Sequence, residues 1–225
     1  MADKIALITG ASSGLGVEVA RLAAQEGYDV ILVARRAEQL TALGEQLKQA
    51  HGVAAHPIAL DLSDPAAPQR LFDEVTKRGL AVDVLVNNAG FGSNGAFLAL
   101  PLEREAEMVQ VNVQAVLKLC WLFGRGMRER KRGHILNIAS TAGFQAGPYM
   151  ATYYATKSFV LLFSEALHHE LRQSGVTVTA HCPGATETGF AKTSGNDKSR
   201  LFRQRKPASS AEVAAHGWRA MKADR

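Results

Sequence analysis

Little in this sequence would take it outside the ordinary globular proteins of aqueous solution. Cysteine is scarce: Cys120 and Cys182 are the only two in 225 residues. Each stands among apolar neighbours, so buried free thiols are expected, and neither a disulfide framework nor a thiolate metal site is. His, Cys, Asp and Glu nowhere fall at metal-ligand spacing, so no metal is expected. Long hydrophobic runs are missing as well. No stretch approaches the roughly 18 apolar residues that a helical membrane span needs. The run from Ile5 to Ile8 is too short for the core of a secretory signal and is broken at once by Thr9 and Gly10. A cytoplasmic protein without a membrane partner is therefore expected.

Charge of one sign is only mildly in excess, with 26 Lys and Arg against 21 Asp and Glu for a net +5. The basic residues are scattered except for Arg128 to Arg132 and Arg200 to Lys206. The first run reads as the solvated end of a long helix and the second as an exposed loop, so no nucleic-acid partner is expected.

What is present is the balance of a globular domain, 47% hydrophobic and 21% charged over a length that α/β folds span as one unit, here 1–225. Nearly continuous apolar runs at 4–9, 29–34, 53–60, 82–87, 134–140 and 176–181 read as strands buried on both faces. Helical patterns at 14–26, 37–49, 65–78, 102–130, 150–174 and 209–221 alternate with them. This alternation specifies a doubly wound parallel sheet, a three-layer α/β/α fold of Rossmann type, whose ligands bind beyond the carboxyl ends of the strands.

After the first strand comes Thr9-Gly10-Ala11-Ser12-Ser13-Gly14-Leu15-Gly16, running straight into a helix. Glycines permit a tight turn and close approach of backbone to a pyrophosphate, whose charge then faces the amides of the helix N-terminus. NAD-preferring folds place a carboxylate about 20 residues further on, for the ribose 2′-hydroxyl. Counting from Gly16, 34 − 16 = 18 residues lead to Ala34, which Arg35 and Arg36 follow. With no carboxylate there, a 2′-phosphate can sit against the guanidiniums with a loop serine as a further donor, so NADP(H) is expected over NAD(H). A pair of arginines that merely opens a solvated helix stays open as the alternative.

Tyr153 and Lys157 stand at i and i+4 of a helical pattern and so share a face. A neighbouring ammonium and an oxidised nicotinamide both favour the phenolate and are expected to lower the tyrosine pKa, with the remaining lysine donors available to a ribose. Ser140 precedes Tyr153 by 153 − 140 = 13 residues, enough for a loop to bring the two hydroxyls together, where Ser140 would hydrogen-bond a substrate oxygen. Asn112 is a polar side chain in the apolar stretch from Val111 to Val116 and must find partners, a water shared with Lys157 being one solution.

Together these residues make the chain resemble the short-chain dehydrogenase/reductase family, in its compact single-domain branch. The resemblance is carried by Thr9 to Gly16, Asp61, Asn87-Asn88-Ala89-Gly90, the set Asn112, Ser140, Tyr153 and Lys157, and the stretch from Pro183 to Thr188. It implies that Asp61 and Leu62 border the adenine, that Asn88, Ala89 and Gly90 support the adenosine side, and that Pro183, Gly184, Thr186 and Thr188 line the nicotinamide. It implies an oxidoreductase for a small carbonyl or alcohol substrate, with B-face hydride transfer and Tyr153 as the acid/base. It also implies a homodimer or homotetramer built on the two long helices, and a lid at 187–206 bracketed by Phe190, Leu201 and Phe202. A mostly apolar pocket is expected from Phe91, Phe144, Gln145, Tyr149 and Met150. Tyr154, His168 and His169 are expected to be structural or surface residues. Family members usually continue beyond 209–221 into a seventh strand, whereas this sequence stops at Arg225. A binding protein that senses NADP(H) redox state without turnover is the rival reading, and such a protein would be expected to lose Tyr153 or Lys157.

Overall fold

The computed structural model describes residues 4–190, 194 and 207–224. Six strands, β1 (Ile5–Thr9), β2 (Asp29–Ala34), β3 (Ala55–Ala59), β4 (Val82–Asn87), β5 (Gly133–Ile138) and β6 (Val176–His181), form one parallel sheet in the order β3-β2-β1-β4-β5-β6. The chain leaves β1 in one direction and returns to β4 in the other, so the strand order reverses between them. A crevice opens there beyond the strand ends, and the glycine loop sits in it.

β1 shows why the apolar runs become strands. Its side chains alternate between faces, so Ala6 and Ile8 enter one core while Ile5 and Leu7 enter the other. The first core is covered by α1 (Gly14–Gln25) and α2 (Ala37–His51), the second by α3 (Ala67–Lys77) and the long helix that ends in α5 (Ala115–Glu129). Strand β3 departs from the expectation of two buried faces. It is the sheet edge, half-exposed, shorter than 53–60, and it tolerates Pro57, which no ladder partner needs as a donor on its open side.

Two boundaries differ where the site lies. Strand β5 ends at Ile138, so Ser140 stands beyond it, capping a short 3₁₀ turn over Thr141–Phe144 with a hydrogen bond from Ala142 N to its Oγ at 3.1 Å. The helix expected at 102–130 is three pieces: α4 (Leu102–Val109), a π-helical turn over Gln110–Gln114, and α5. The basic run at its end is more than a solvated face. Arg132 grips the buried carboxylate of Asp83 through Nη2 at 2.8 Å and Nε at 3.1 Å, and Arg130 donates to the Val82 carbonyl at 2.8 Å.

The following helix, α6 (Ala151–Leu171), carries Tyr153 and Lys157. Among the described residues the sheet ends at β6, where the His168 ring on α6 accepts a hydrogen bond from Val178 N at 3.3 Å. His168 thus satisfies an edge amide that would otherwise face outward. The same Nδ1 lies 3.8 Å from Asp224, but a ring nitrogen that accepts carries no proton, so that approach is not an ion pair. A short parallel pair, β7 (Thr186–Glu187) with β8 (Ala208–Ser209), leads into α7 (Ser210–Lys222). Helix α7 opens on a capping box between Ser209 and Glu212 and is pinned to α1 by Trp218 Nε1 and Lys222 Nζ on the Glu26 carboxylate, at 2.8 and 3.0 Å. Of the segment 187–206 expected to cover the substrate, only 187–190 and Ser194 belong to the described residues; Leu201, Phe202 and the basic run from Arg200 to Lys206 lie outside them.

Candidate active site

The glycine loop is shaped by contacts that leave no room for side chains. Gly10 and Gly14 hold φ of +67° and +55°, which L residues avoid. A Cβ on Gly10 would meet Asn88 Nδ2 at 2.7 Å, one on Gly14 would meet Thr188 at 3.2 Å, and one on Gly16 would strike the Gly10 carbonyl. Asn88 is the brace: its amide donates to the carbonyls of Thr9 and Gly10 at 2.8 and 3.3 Å. The Thr9 hydroxyl completes the brace by accepting from the amides of Asn88 and Ala89, both at 3.0 Å, and by donating to Val86 O at 3.2 Å. Ser13, at the start of α1, makes no capping bond, and the first turn of α1 carries no acidic residue. The amides of that turn and the positive end of the helix therefore face the crevice, where Ser12, Ser13 and Leu15 line it.

At the end of β2, Arg36 leans onto the loop and donates to Ser12 Oγ at 2.9 Å and to Ser12 O at 3.1 Å. Arg35 Nη1 lies 4.0 Å from Asp61, both largely exposed, a pair of little energetic weight. Asp61 Oδ1 accepts from Ser63 N at 3.0 Å, and Leu62 is buried beside it. Two guanidiniums and a serine hydroxyl thus gather where the sequence has no carboxylate.

The opposite end of the crevice holds Tyr153, Lys157 and Ser140. Lys157 is buried, donates to the Ile138 carbonyl at 2.6 Å and places its Nζ 5.9 Å from the centre of the Tyr153 ring. Ser140 hydrogen-bonds with the Tyr153 phenol, and its hydroxyl also reaches the Pro183 carbonyl at 3.4 Å. Asn112 lies in the π-helical turn, whose extra residue turns its amide inward. Direct bonds satisfy it, since Nδ2 donates to Phe91 O at 2.9 Å and to Thr156 Oγ1 at 3.1 Å, while Oδ1 accepts from Phe91 N at 3.2 Å. Gly90 fits between this amide and Lys157, where a Cβ would come within 3.0 Å of Asn112 Oδ1 and 3.7 Å of Lys157 Nζ. Asn112 therefore positions the backbone after Gly90 through direct bonds.

Burial sets the electrostatics. It pushes the Tyr153 phenol up to about 12, against the opposing hydrogen bond from Ser140, and pushes Lys157 down to about 8. In the protein alone, burial therefore outweighs any lowering by Lys157. An ammonium that gives up its proton near 8 is already neutral in the range where a phenol held near 12 would ionise. At neutral pH both groups are protonated, the condition a proton donor requires.

Between the two ends runs one continuous cleft of about 640 Å³. Of the catalytic and cofactor residues expected from the sequence, Gly16 and Asn112 stand behind its wall and the others reach its surface, including Ala89, Gly184 and Thr186. Phe91, Gln145 and Met150 line it too, whereas Phe144 and Tyr149 turn outward, 66% and 67% exposed. Tyr154 lines the cleft rather than serving only as packing. Sequence reasoning missed Thr156, Arg104 and Glu107. Thr156 sits one position before Lys157 and carries no signal of its own. Arg104 and Glu107 line the cleft from α4, with the Arg104 guanidinium 4.7 Å over the Phe91 ring.

Similarity to known proteins agrees with this arrangement. The family model described as short chain dehydrogenase matches residues 4–199, and the chain belongs to that family. One relative is a protein of Streptomyces virginiae provisionally designated the ketoacyl reductase of the monensin polyketide synthase, 39% identical over 192 residues, which are 84% of this chain and 73% of that protein. Among solved structures, a short-chain dehydrogenase from Sphingobium yanoikuyae in complex with NADPH superposes with a TM-score of 0.91 at 31% identity, covering 99% of this chain and 85% of that one. The L-sorbose reductase of Gluconobacter frateurii, complexed with NADPH and L-sorbose, gives 0.86 at 29% identity over 98% and 90% of the two chains.

Proposed function

We propose that the protein is an NADP(H)-dependent oxidoreductase that interconverts a carbonyl and an alcohol. The observation that carries the reading is the convergence of Tyr153, Lys157 and Ser140 on one end of a cleft whose other end is the glycine loop with Arg35 and Arg36. The residues fit a phosphorylated dinucleotide. The loop leaves an uncapped helix N-terminus facing the crevice, and side chains at Gly10, Gly14 or Gly16 would fill the cradle. Arg36 and Ser12 are already paired beside it, ready to share a 2′-phosphate with Arg35.

When bound, the dinucleotide supplies or accepts the hydride. The chain's own residues handle the proton. Ser140 donates a hydrogen bond to the substrate oxygen and orients it toward the Tyr153 hydroxyl, which gives up its proton as the alcohol forms. Lys157 faces the phenolate left behind, and the Ile138 carbonyl holds the ammonium in place. Asn112 keeps the backbone from Gly90 to Phe91 in register with the lysine. The names of the relatives, a ketoacyl reductase and a sugar reductase, support a carbonyl as the reacting group. The test is an NADPH-oxidation screen over aldehydes, ketones, 3-oxoacyl thioesters and steroids. Turnover that vanishes in Tyr153→Phe supports the assignment. No oxidation with any carbonyl, despite tight NADPH binding, would instead favour a redox sensor.

A further inference from the structure

One buried hydroxyl next to the reacting groups has no part in the proton transfer itself. Thr156 is 3% exposed and does not reach the surface of the cleft, so it touches neither substrate nor cofactor. Its Oγ1 donates to the Tyr153 carbonyl at 2.7 Å. A threonine in a helix commonly bonds a carbonyl three or four residues back, and such a bond by itself is local. Here the same oxygen also accepts from Asn112 Nδ2 at 3.1 Å, from a residue 44 positions away in the π-helical turn. Asn112 in turn holds both backbone groups of Phe91. One line of hydrogen bonds therefore runs from Phe91 through Asn112 and Thr156 to the carbonyl of Tyr153. That carbonyl is the one that helical geometry pairs with the amide of Lys157.

Nothing along this line is to spare. Both hydrogens of the Asn112 amide are used and Asn112 is 1% exposed, so without the Thr156 oxygen one buried N–H loses its acceptor. Space is equally tight, because Gly90 lies between the Asn112 amide and Lys157. A shift of that amide is passed to Gly90 and Phe91, which line the cleft together with Tyr153 and Lys157. We propose that Thr156 is a positioning residue for the proton transfer: its hydroxyl locks the turn of α6 that carries Tyr153 and Lys157 to the backbone of Gly90 and Phe91, so that the acid and this wall of the cleft keep one geometry. The inference rests on the carbonyl-reductase reading for its effect on turnover, while the line of bonds has a readout independent of it.

The variants are Thr156→Ser, which keeps the hydroxyl, Thr156→Val, which keeps the shape, and Thr156→Ala, which keeps neither and adds no clash. Each is measured below its melting temperature in two ways: kcat for NADPH oxidation with one accepted carbonyl, expressed per titrated NADPH-binding site, and deuterium exchange of the Phe91 amide by NMR. The loss of one buried hydrogen bond corresponds to about tenfold. Thr156→Val and Thr156→Ala should therefore lose about tenfold in kcat per site, with KM for the carbonyl changed less, and Thr156→Ser should stay within about threefold of the unaltered protein. Exchange at Phe91 should quicken in Thr156→Val and Thr156→Ala and not in Thr156→Ser. A residue that only packs would lower the number of folded sites and leave kcat per site unchanged. Near-normal kcat per site in Thr156→Ala overturns the inference, as does a Thr156→Ser as slow as Thr156→Ala, or a fall in kcat with Phe91 exchange unaltered. Should Thr156→Val not fold, the comparison of Thr156→Ala with Thr156→Ser decides. If no form reduces any carbonyl but exchange follows the expected order, the lock stands and the reductase reading falls. Neither reduction nor altered exchange overturns both.

Discussion

Replacing Lys157 by methionine removes the ammonium while keeping most of the stem volume, and the structure gives the scale of the loss. The Nζ lies 5.9 Å from the centre of the Tyr153 ring. At an effective dielectric of about 20, a unit charge at that distance favours a phenolate by about 3 kcal/mol. When Tyr153 donates its proton, this attraction acts on the charge that develops, so kcat for carbonyl reduction should fall roughly a hundredfold. Affinity for NADPH should fall with it, because the same ammonium is the buried donor on that side of the cleft.

The pH profile separates this role from simple loss of packing. Burial holds Lys157 near 8 and Tyr153 near 12. The lysine value is depressed, so its charged form is present below 8 and lost as pH rises through it, while the phenol keeps its proton throughout. Reduction by the unaltered protein should therefore be steady toward neutrality and decline above about pH 8 with unit slope. Lys157→Met should be slow and free of that decline, and Lys157→Arg, whose guanidinium does not titrate, should recover part of the rate and stay level to higher pH. Steady-state NADPH oxidation with one accepted carbonyl, buffered across this range, is the assay. A decline near pH 8 that persists unchanged in Lys157→Met, or a rate loss of only a few-fold, refutes the reasoning.

Tyr153→Phe should lower kcat by at least about two orders of magnitude with NADPH affinity little changed, and Ser140→Ala should impair turnover more than cofactor binding; parallel kinetics and titrations check both. NADPH should bind about ten- to a hundredfold more tightly than NADH, and Arg36→Asp, which breaks the pair with Ser12, should erase or reverse the preference in calorimetric titration; equal affinities in the unaltered protein would count against it. Leu117 and Trp121 on α5 and Leu162 on α6 are exposed, so a homo-oligomer is expected, and Trp121→Glu with Leu162→Glu should reduce the mass measured by light scattering. His181 and His134 are both pushed below the ordinary histidine value by burial, so the unfolded chain binds protons the folded one resists. Stability is then present above about pH 6.5 and lost below it, and His181→Gln should flatten that fall in Tm even though it costs stability at neutral pH.

The sheet was legible because five of its six strands are buried on both faces and must be apolar nearly throughout. The site was legible because its residues sit where strands end, at positions the alternation of elements defines. What the sequence concealed depends on backbone geometry or on burial. Ala139 and Ser140 continue the pattern of β5, yet Ala139 N also donates back to the Asn137 carbonyl at 3.1 Å and the chain turns away. The π-helical turn has the same spacing of apolar side chains as the α-helix around it, so nothing in the residues marks the wider turn that aims Asn112 inward. Phe144 and Tyr149 look like pocket residues by composition, and only the left-handed backbone at Tyr149 shows that its ring faces out.

The relation between Tyr153 and Lys157 shows that spacing alone does not set the chemistry. An i, i+4 pair promises proximity, and proximity of opposite charges would lower the phenol's pKa. Proximity here comes with burial, which acts on each group separately and in opposite directions, raising the acid and lowering the base. The two values then cross, and the lysine titrates first. The protein by itself therefore holds a protonated phenol beside an ammonium, poised to give a proton rather than to take one. Solvent reaching either group would relieve the burial and narrow the gap between them. An Ile138 carbonyl that accepts from the ammonium at 2.6 Å thus does more than satisfy a buried donor: it fixes the charge where the phenolate will form, while burial sets the pH above which reduction fails.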